Sequence, residues 1–341
     1  MPTPMPTPPH SPAVQLTEHA LAYLHSAALR AAALLGVADH LADGPRTAGE
    51  LAAATGTDPA HLRRAMRLLA TRDVFREDSD GAFHLTPAAE PLRSDAPSSM
   101  RDAVVMLTDE PFWRPAGQLA DTVRAGRTVF EEIFGAPYFG HLERVPEAGA
   151  VFDTGMAGLA ESENGPIAAA YDFPATGTVV DVGGGRGGLL RQVLLRNPDL
   201  TGILHDQESV LGHHLLDRPD LTGRWQTHSG DFFTAVPPGA DVYLLKRILH
   251  DWSDDDCVRI LRACRTAMTR PGSRLLAIDA VVPPGNAPHP GKTMDILMMT
   301  SFNGRERNEP DIHHLLTTAG LKPSRTLPTH STLSIVEGVV G

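Results

Sequence analysis

The chain has 341 residues, 42% hydrophobic and 21% charged, with a formal net charge of -11. That length accommodates about two domains, and the acidic balance opposes nucleic acid unless a local basic patch intervenes. No run approaches the ~20 apolar residues of a membrane helix, and the first residues lack the basic-then-apolar order of a secretory signal. Two cysteines, Cys257 and Cys264, build no disulfide framework, so a cytoplasmic protein without a membrane span is expected. Among the 30 basic residues only Lys246, Lys292 and Lys322 are lysines, a bias that points to a GC-rich bacterial genome.

Residues 1–12 hold six prolines and are expected to form a disordered or polyproline-like tail. From 14 to 36, Leu21, Leu24, Ala28, Ala31 and Leu35 recur at helical spacing, and Gly36 offers a stop. Thr47 and Glu50 then have the spacing of a capping box. Asp58-Pro59 opens a further helix with Leu62, Ala65, Met66 and Leu69 on one face. Asp80-Gly81 turns between Val74–Phe75 and Ala82–Leu85. Residues 13–100 thus have the outline of an α-helical winged-helix domain. Residues 30–95 carry eight arginines against ten acidic residues, whereas a recognition helix works in a basic field. Arg63, Arg64 and Arg67 therefore read as a solvated face. A structural or dimerising role is expected, with a DNA-binding regulator as the alternative.

Residues 101–172 are expected to be largely helical, with Phe112, Trp113, Phe130, Phe134, Tyr138 and Phe139 packing as core. Tyr171-Asp172-Phe173-Pro174 breaks that pattern. From 173 to 341 strands alternate with helices, which predicts a Rossmann-like α/β domain: a mainly parallel sheet with helices on both faces.

Thr178–Val182 reads as a strand, followed by glycines 183, 184, 185, 187 and 188 and then a helix with Leu189, Leu190, Val193 and Leu194 on one face. Strand, glycine turn and helix let a backbone approach a ligand at a helix N-terminus. The spacing of Gly183, Gly185 and Gly188 also fits a dinucleotide dehydrogenase. Charge discriminates between the two. Asp181 stands just before the first glycine, where a carboxylate repels pyrophosphate but suits the ammonium or sulfonium region of S-adenosylmethionine. Asp206 closes the next strand and is placed for a ribose hydroxyl pair. Asp231, after the third strand, suits an adenine amino group, with Phe232 stacking on the ring.

Val242–Lys246 reads as a strand that runs into His250-Asp251-Trp252-Ser253. Ser253 and Asp256 have capping-box spacing, and Asp254, Asp255 and Asp256 complement the helix N-terminus. The helix face carries Cys257, Ile260, Leu261, Cys264 and Met268, so both thiols are expected in the core. His250 falls just past a strand's C-terminal end, where open α/β sheets bind ligands. Neither His213-His214 nor His313-His314 has a third ligand at useful spacing, and no metal site is expected.

Asp-Val-Gly-Gly-Gly at 181–185, Gly-Asp-Phe-Phe at 230–233, Leu-Lys-x-x-Leu-His-Asp-Trp-Ser at 245–253, Asp-Ile-Leu-Met-Met at 295–299 and Gly-Arg-Glu-Arg at 304–307 occur in order. With these motifs the chain closely resembles the plant-type S-adenosylmethionine-dependent O-methyltransferases and their bacterial relatives in secondary metabolism, over nearly its whole length. The resemblance implies a homodimer formed through the N-terminal domain and methylation of a phenolic or polyketide-like hydroxyl. It makes His250 the general base, with Asp279 and Glu306 as the pair that orients it. Cofactor contacts fall to Gly183, Asp206, Asp231, Phe232 and Lys246, beside Asp181 and Gly185 from the loop itself. Met156, Met298, Met299 and Phe302 fall where an aromatic acceptor packs. The plant enzymes usually have Glu where Asp279 stands, and Asp206-Gln207-Glu208 replaces Asp-Leu-Pro. The first departure keeps a second reading open: the same cofactor serving a hydroxylation, rearrangement or cyclisation.

Overall fold

The structure, a computed structural model, describes residues 11–341 and divides into two compact units that meet between Thr108 and Asp109. In the first, Ser11 caps α1 (Pro12–Ala20) and Pro12 takes its first turn, so the last two residues of the expected tail open a helix. Residues 1–10 lie outside the described residues. The single helix expected over 14–36 is two, because Leu21 (φ -97°, ψ 3°) leaves helical geometry between α1 and α2 (Ala22–Leu34). Gly36, at φ +63°, turns the chain into the short α3 (Val37–His40).

The capping box forms as expected: Glu50 donates its N–H to Thr47 Oγ1, and Thr47 donates its N–H to the Glu50 carboxylate, at the start of α4 (Ala48–Thr55). Asp58 accepts the His61 N–H at 2.9 Å and starts α5 (Pro59–Ala70). Strands β1 (Arg46–Thr47), β2 (Phe75–Glu77) and β3 (Ala82–Leu85) pair antiparallel in the order β1-β3-β2. Leu51, Met66, Leu69, Phe75 and Phe83 form the core of the unit. Helix α6 (Arg101–Leu107) packs on α2, which moves the boundary from the expected residue 100 to Thr108. Leu21, Tyr23, Leu24 and Leu34 remain exposed on the protomer.

The second unit opens with α7 (Glu110–Ala116), α8 (Leu119–Ala125), α9 (Phe130–Phe134), α10 (Tyr138–Arg144) and the long α11 (Pro146–Ala170). These cluster with the sheet rather than forming a separate region. There follow β4 (Gly177–Val182), α12 (Gly188–Arg196), β5 (Leu200–Asp206), α13 (Glu208–Leu211), β6 (Trp225–Ser229), β7 (Val242–Lys246), α14 (Asp254–Ala267) and β8 (Arg274–Asp279). Then come α15 (Pro290–Ser301), α16 (Glu309–Thr318), β9 (Leu321–Pro328) and β10 (Ser334–Val340). The seven strands are ordered β6-β5-β4-β7-β8-β10-β9; all are parallel except β10, which runs antiparallel to both neighbours.

Alternation along the strands sends successive side chains to opposite faces. Val180, Tyr243, Leu245 and Leu275 join the core under α14 and α16, whereas Val179, Leu244, Leu276 and Ile278 join the one under α11 and α12. Cys257 and Cys264 lie buried and unpaired in the first of these. Ser253 accepts the Asp256 N–H at 3.2 Å, but the Asp256 carboxylate takes the Ser253 hydroxyl rather than its backbone N–H, so this cap is not reciprocal. Among the described residues, no helix is long and apolar enough to cross a membrane.

Candidate active site

The chain winds outward from β4 through β5 to β6, then crosses to β7 on the other side. Strand order reverses between β4 and β7, and their C-terminal ends bound the crevice where open α/β sheets bind ligands. One side of it is the glycine loop; the other is the turn bearing His250.

In the loop, Gly183 and Gly185 adopt φ +65° and +57°. A Cβ at Gly183 would lie 2.6 Å from Ile248 and 3.2 Å from the Phe232 ring, so only glycine fits; space around Gly185 is open. Asp206 braces the loop, accepting the Gly185 N–H at 2.8 Å on Oδ2 and the Gln207 N–H at 2.7 Å on Oδ1. Asp231 is exposed and accepts the Phe233 N–H at 2.9 Å.

Asp181 differs from both. It is buried, and neither carboxylate oxygen has a hydrogen-bond partner among the described residues. Burial pushes its pKa up to about 7 against the pull of Lys246. An orphan buried acid at an open glycine turn fits a ligand that brings a cationic donor, as the ammonium end of S-adenosylmethionine does. Lys246 does not present a free ammonium there. Its Nζ donates to Asn164 Oδ1 at 2.8 Å and lies 3.2 Å from Glu163 Oε2, both on α11. Glu163 also takes the Arg247 guanidinium in a buried two-point pair, which helps explain how Arg247 is held at φ +54°.

Across the crevice, the imidazole of His250 is buried in a nest of carboxylates. Its Nδ1 lies 2.8 Å from Glu306 Oε1, and its Nε2 lies 3.4 Å from Asp251 Oδ1. Burial alone disfavours the imidazolium, but Asp251, Glu306 and Asp279 outweigh it and raise the pKa to about 9. Burial likewise pushes Asp279 up to about 7 and Asp251 to about 6, against the opposing charge of His250. The expected orienting pair is therefore corrected. Glu306 and Asp251 meet the two ring nitrogens, while Asp279 acts by charge, its Oδ1 buried without a hydrogen-bond partner among the described residues.

Of the four expected acceptor residues, Phe302 lies in an aromatic cluster, its ring 4.4 Å from Tyr138 and 5.7 Å from Phe139. Met298 is buried on α15, and Met156 and Met299 are partly covered on α11 and α15. Trp252, on the His250 turn, stacks on Phe139 of α10 at 5.9 Å and meets Phe233 edge-on at 4.7 Å.

Asp251, Glu163, Asn164 and Trp252 were not among the expected site residues. Asp251 and Trp252 sit inside the His250 motif and were legible there as neighbours of the base. Glu163 and Asn164 carry no local signal, because their partners stand more than 80 positions away.

A parallel sheet whose switch-point crevice joins a glycine turn and an orphan acid to a buried histidine is the frame of a class I methyltransferase. Residues 116–322 match the O-methyltransferase domain family, and residues 17–95 match the O-methyltransferase dimerisation domain. The chain is 40% identical over 318 residues to a phenazine O-methyltransferase of Lysobacter antibioticus, covering 92% of each. It superposes on CalO1, a methyltransferase of calicheamicin biosynthesis solved with S-adenosylhomocysteine, with a TM-score of 0.89 and 49% identity, covering 96% of this chain and 98% of that one. An O-methyltransferase of neocarzinostatin biosynthesis, in complex with S-adenosylmethionine and 2-hydroxy-5-methyl naphthoic acid, gives a TM-score of 0.76 at 36% identity over 93% of this chain and 96% of that one. The protein belongs to the S-adenosylmethionine-dependent O-methyltransferase family, and S-adenosylmethionine is its methyl donor.

Proposed function

We propose that this enzyme methylates a phenolic hydroxyl of a small aromatic secondary metabolite, with His250 as general base. The observation that carries the reading is the His250 Nδ1–Glu306 contact of 2.8 Å, at the crevice edge opposite the orphan Asp181. When bound, S-adenosylmethionine supplies a methyl group on a sulfonium, an electrophile that needs a charged or nascent oxyanion as partner. Asp181 would hold its ammonium end, Asp206 its ribose, and Asp231 and Phe232 its adenine; Gly183 and Gly185 let the backbone come close. Lys246, committed to Asn164 and Glu163, supports Asp181 through charge rather than contact.

His250 donates Nδ1–H to Glu306, and the deprotonated fraction of the imidazole offers Nε2, 3.4 Å from Asp251 Oδ1, to take the acceptor's proton. With a pKa of about 9, it approaches the ~10 of a phenol, so the proton moves with little free-energy penalty. The imidazolium then lies among Glu306, Asp251 and Asp279. Met156, Met298, Met299 and Phe302 would line the acceptor, a reading supported by the aromatic wall around Phe302. The naphthoate and phenazine relatives support an aromatic acceptor.

A homodimer is supported by the match to the dimerisation domain and by Leu21, Tyr23, Leu24 and Leu34, apolar side chains that a partner would cover. Pairing of Arg63 and Arg67 with Glu77 favours this role over nucleic-acid binding. Two separate buried thiols accord with a cytoplasmic location.

The test uses hydroxynaphthoic and hydroxyphenazine acceptors with methyl-labelled cofactor. We expect His250→Ala to lower the rate by about 10²-fold or more, with S-adenosylhomocysteine binding unchanged by calorimetry. Full activity in that variant would overturn the reading. A product that gains one CH₂ by mass spectrometry separates methylation from the alternative reactions.

A further inference from the structure

Residues 304–307 lie over the turn that carries His250. Gly304 sits so close that a Cβ there would overlap the His250 carbonyl and the Asp251–Trp252 peptide. Glu306 meets the imidazole, and its own N–H is held by Asp295 Oδ1 at 2.9 Å. Arg307 is 3% exposed and donates to the Leu249 carbonyl at 2.7 Å and to the Trp252 carbonyl at 2.9 Å. Its outer edge meets Asp254 Oδ1 at 2.7 and 3.0 Å. The Cys257 thiol reaches the same two carbonyls at 3.1 and 3.5 Å. The Val282 N–H donates to the Arg307 carbonyl at 2.9 Å, which ties the segment to the chain leaving β8.

We propose that Arg307 is a positioning residue for the base: its guanidinium bridges the carbonyls on either side of His250 and so holds Nδ1 on Glu306. The proposal rests on the reading of His250 as base. A planar guanidinium donates in several fixed directions at once, and that is what this bridge requires. A lysine ammonium in its place would reach one carbonyl well and the other poorly. Base geometry has to be held to roughly 0.5 Å, and a three-residue turn does not supply that precision unaided.

The experiment measures the His250 imidazole directly, by ¹⁵N-histidine NMR of the acceptor-free protein across pH. The charged groups around the ring are Asp251 from its own turn, Glu306 and Arg307 from the overlying segment, Asp279 from β8, and Arg247 at the end of β7. Removing a positive charge from this nest would by itself raise the titration point. Loss of the Glu306 contact lowers it, so the sign discriminates. In Arg307→Met we expect His250 to titrate about one pH unit below wild type, with the Nδ1–H tautomer giving way to a mixture.

Arg307→Lys should fall between the two proteins, and S-adenosylhomocysteine should bind within about two-fold of wild type in each. If Arg307→Met does not fold, Arg307→Lys carries the test, because it keeps the positive charge while losing the fork and its smaller downward shift cannot come from charge removal. An unchanged or higher titration point in any variant that folds overturns the proposal. This measurement is independent of methyl transfer, so its failure is distinguishable from activity retained by His250→Ala.

Discussion

The glycine loop after β4 and the His250 turn after β7 face one another across one crevice, yet they are built on opposite plans. The loop is specified by what it lacks: no side chain at Gly183 or Gly185, and no partner for Asp181 among the described residues. Its backbone is braced from nearby segments: Asp206 takes the Gly185 N–H, the His205 carbonyl takes the Gly183 N–H, and the Arg186 carbonyl takes the Leu215 N–H. The His250 turn is specified by what is brought to it. Glu306 and Arg307 come from more than 50 positions away, and Glu163 on α11 anchors the adjoining Arg247. A site that binds a cofactor is served by an open backbone and an unsatisfied charge. A site that moves a proton requires a fixed ring, and only tertiary contacts fix one.

The sharpest way to break this contrast is Glu306→Gln. The amide keeps the shape but no longer fixes the tautomer or stabilises the imidazolium, and we expect kcat to fall by about 10²- to 10⁴-fold, with cofactor binding intact. A small change would show that the turn does not depend on its remote partner.

Next in size is Asp181→Asn, measured by calorimetry and thermal unfolding. S-adenosylhomocysteine binding should weaken by about 10- to 100-fold through loss of a charged hydrogen bond. The cofactor-free protein should nonetheless become more stable. The folded pKa of Asp181 is raised to about 7, so between about pH 4 and pH 7 the group is protonated in the fold and ionised in the unfolded chain. Its contribution therefore falls as pH rises through that window. The gain in Tm from Asp181→Asn should be near zero at about pH 4 and reach a few degrees at about pH 7.5.

The smallest effect belongs to Asp279→Asn. kcat/KM reports the free enzyme and should rise as pH climbs towards about 9, where the imidazolium loses its proton. Removing the Asp279 charge lowers the pKa of His250, so this limb should move down by less than about one pH unit, with kcat changed by less than about ten-fold. A larger loss would return Asp279 to the orienting role from which Asp251 displaces it in the geometry.

Much of the architecture was readable in advance. Short apolar runs bounded by turn signals placed β4 and β7 to within about one residue, and the capping box at Thr47 and the core position of both cysteines followed from local chemistry. Helix α2 was readable as a helix but not as one separated from α1, because the break at Leu21 has no glycine or proline to announce it. Leu21 and Leu24 had the spacing of a buried face and are exposed in the protomer, since periodicity marks an apolar face without saying what covers it.

In the site, residue type and motif sufficed to single out Asp181, His250 and Glu306 as groups that the fold places at the crevice. They did not suffice for Lys246, whose ammonium is claimed by Asn164 and Glu163, nor for the choice between Asp279 and Asp251 as the second neighbour of the imidazole. Which elements form, and which chemistry they carry, is written in short-range pattern and composition. Which carboxylate reaches which nitrogen depends on the packing of segments far apart in the chain, where differences of an ångström decide a contact, and only the tertiary structure settles it.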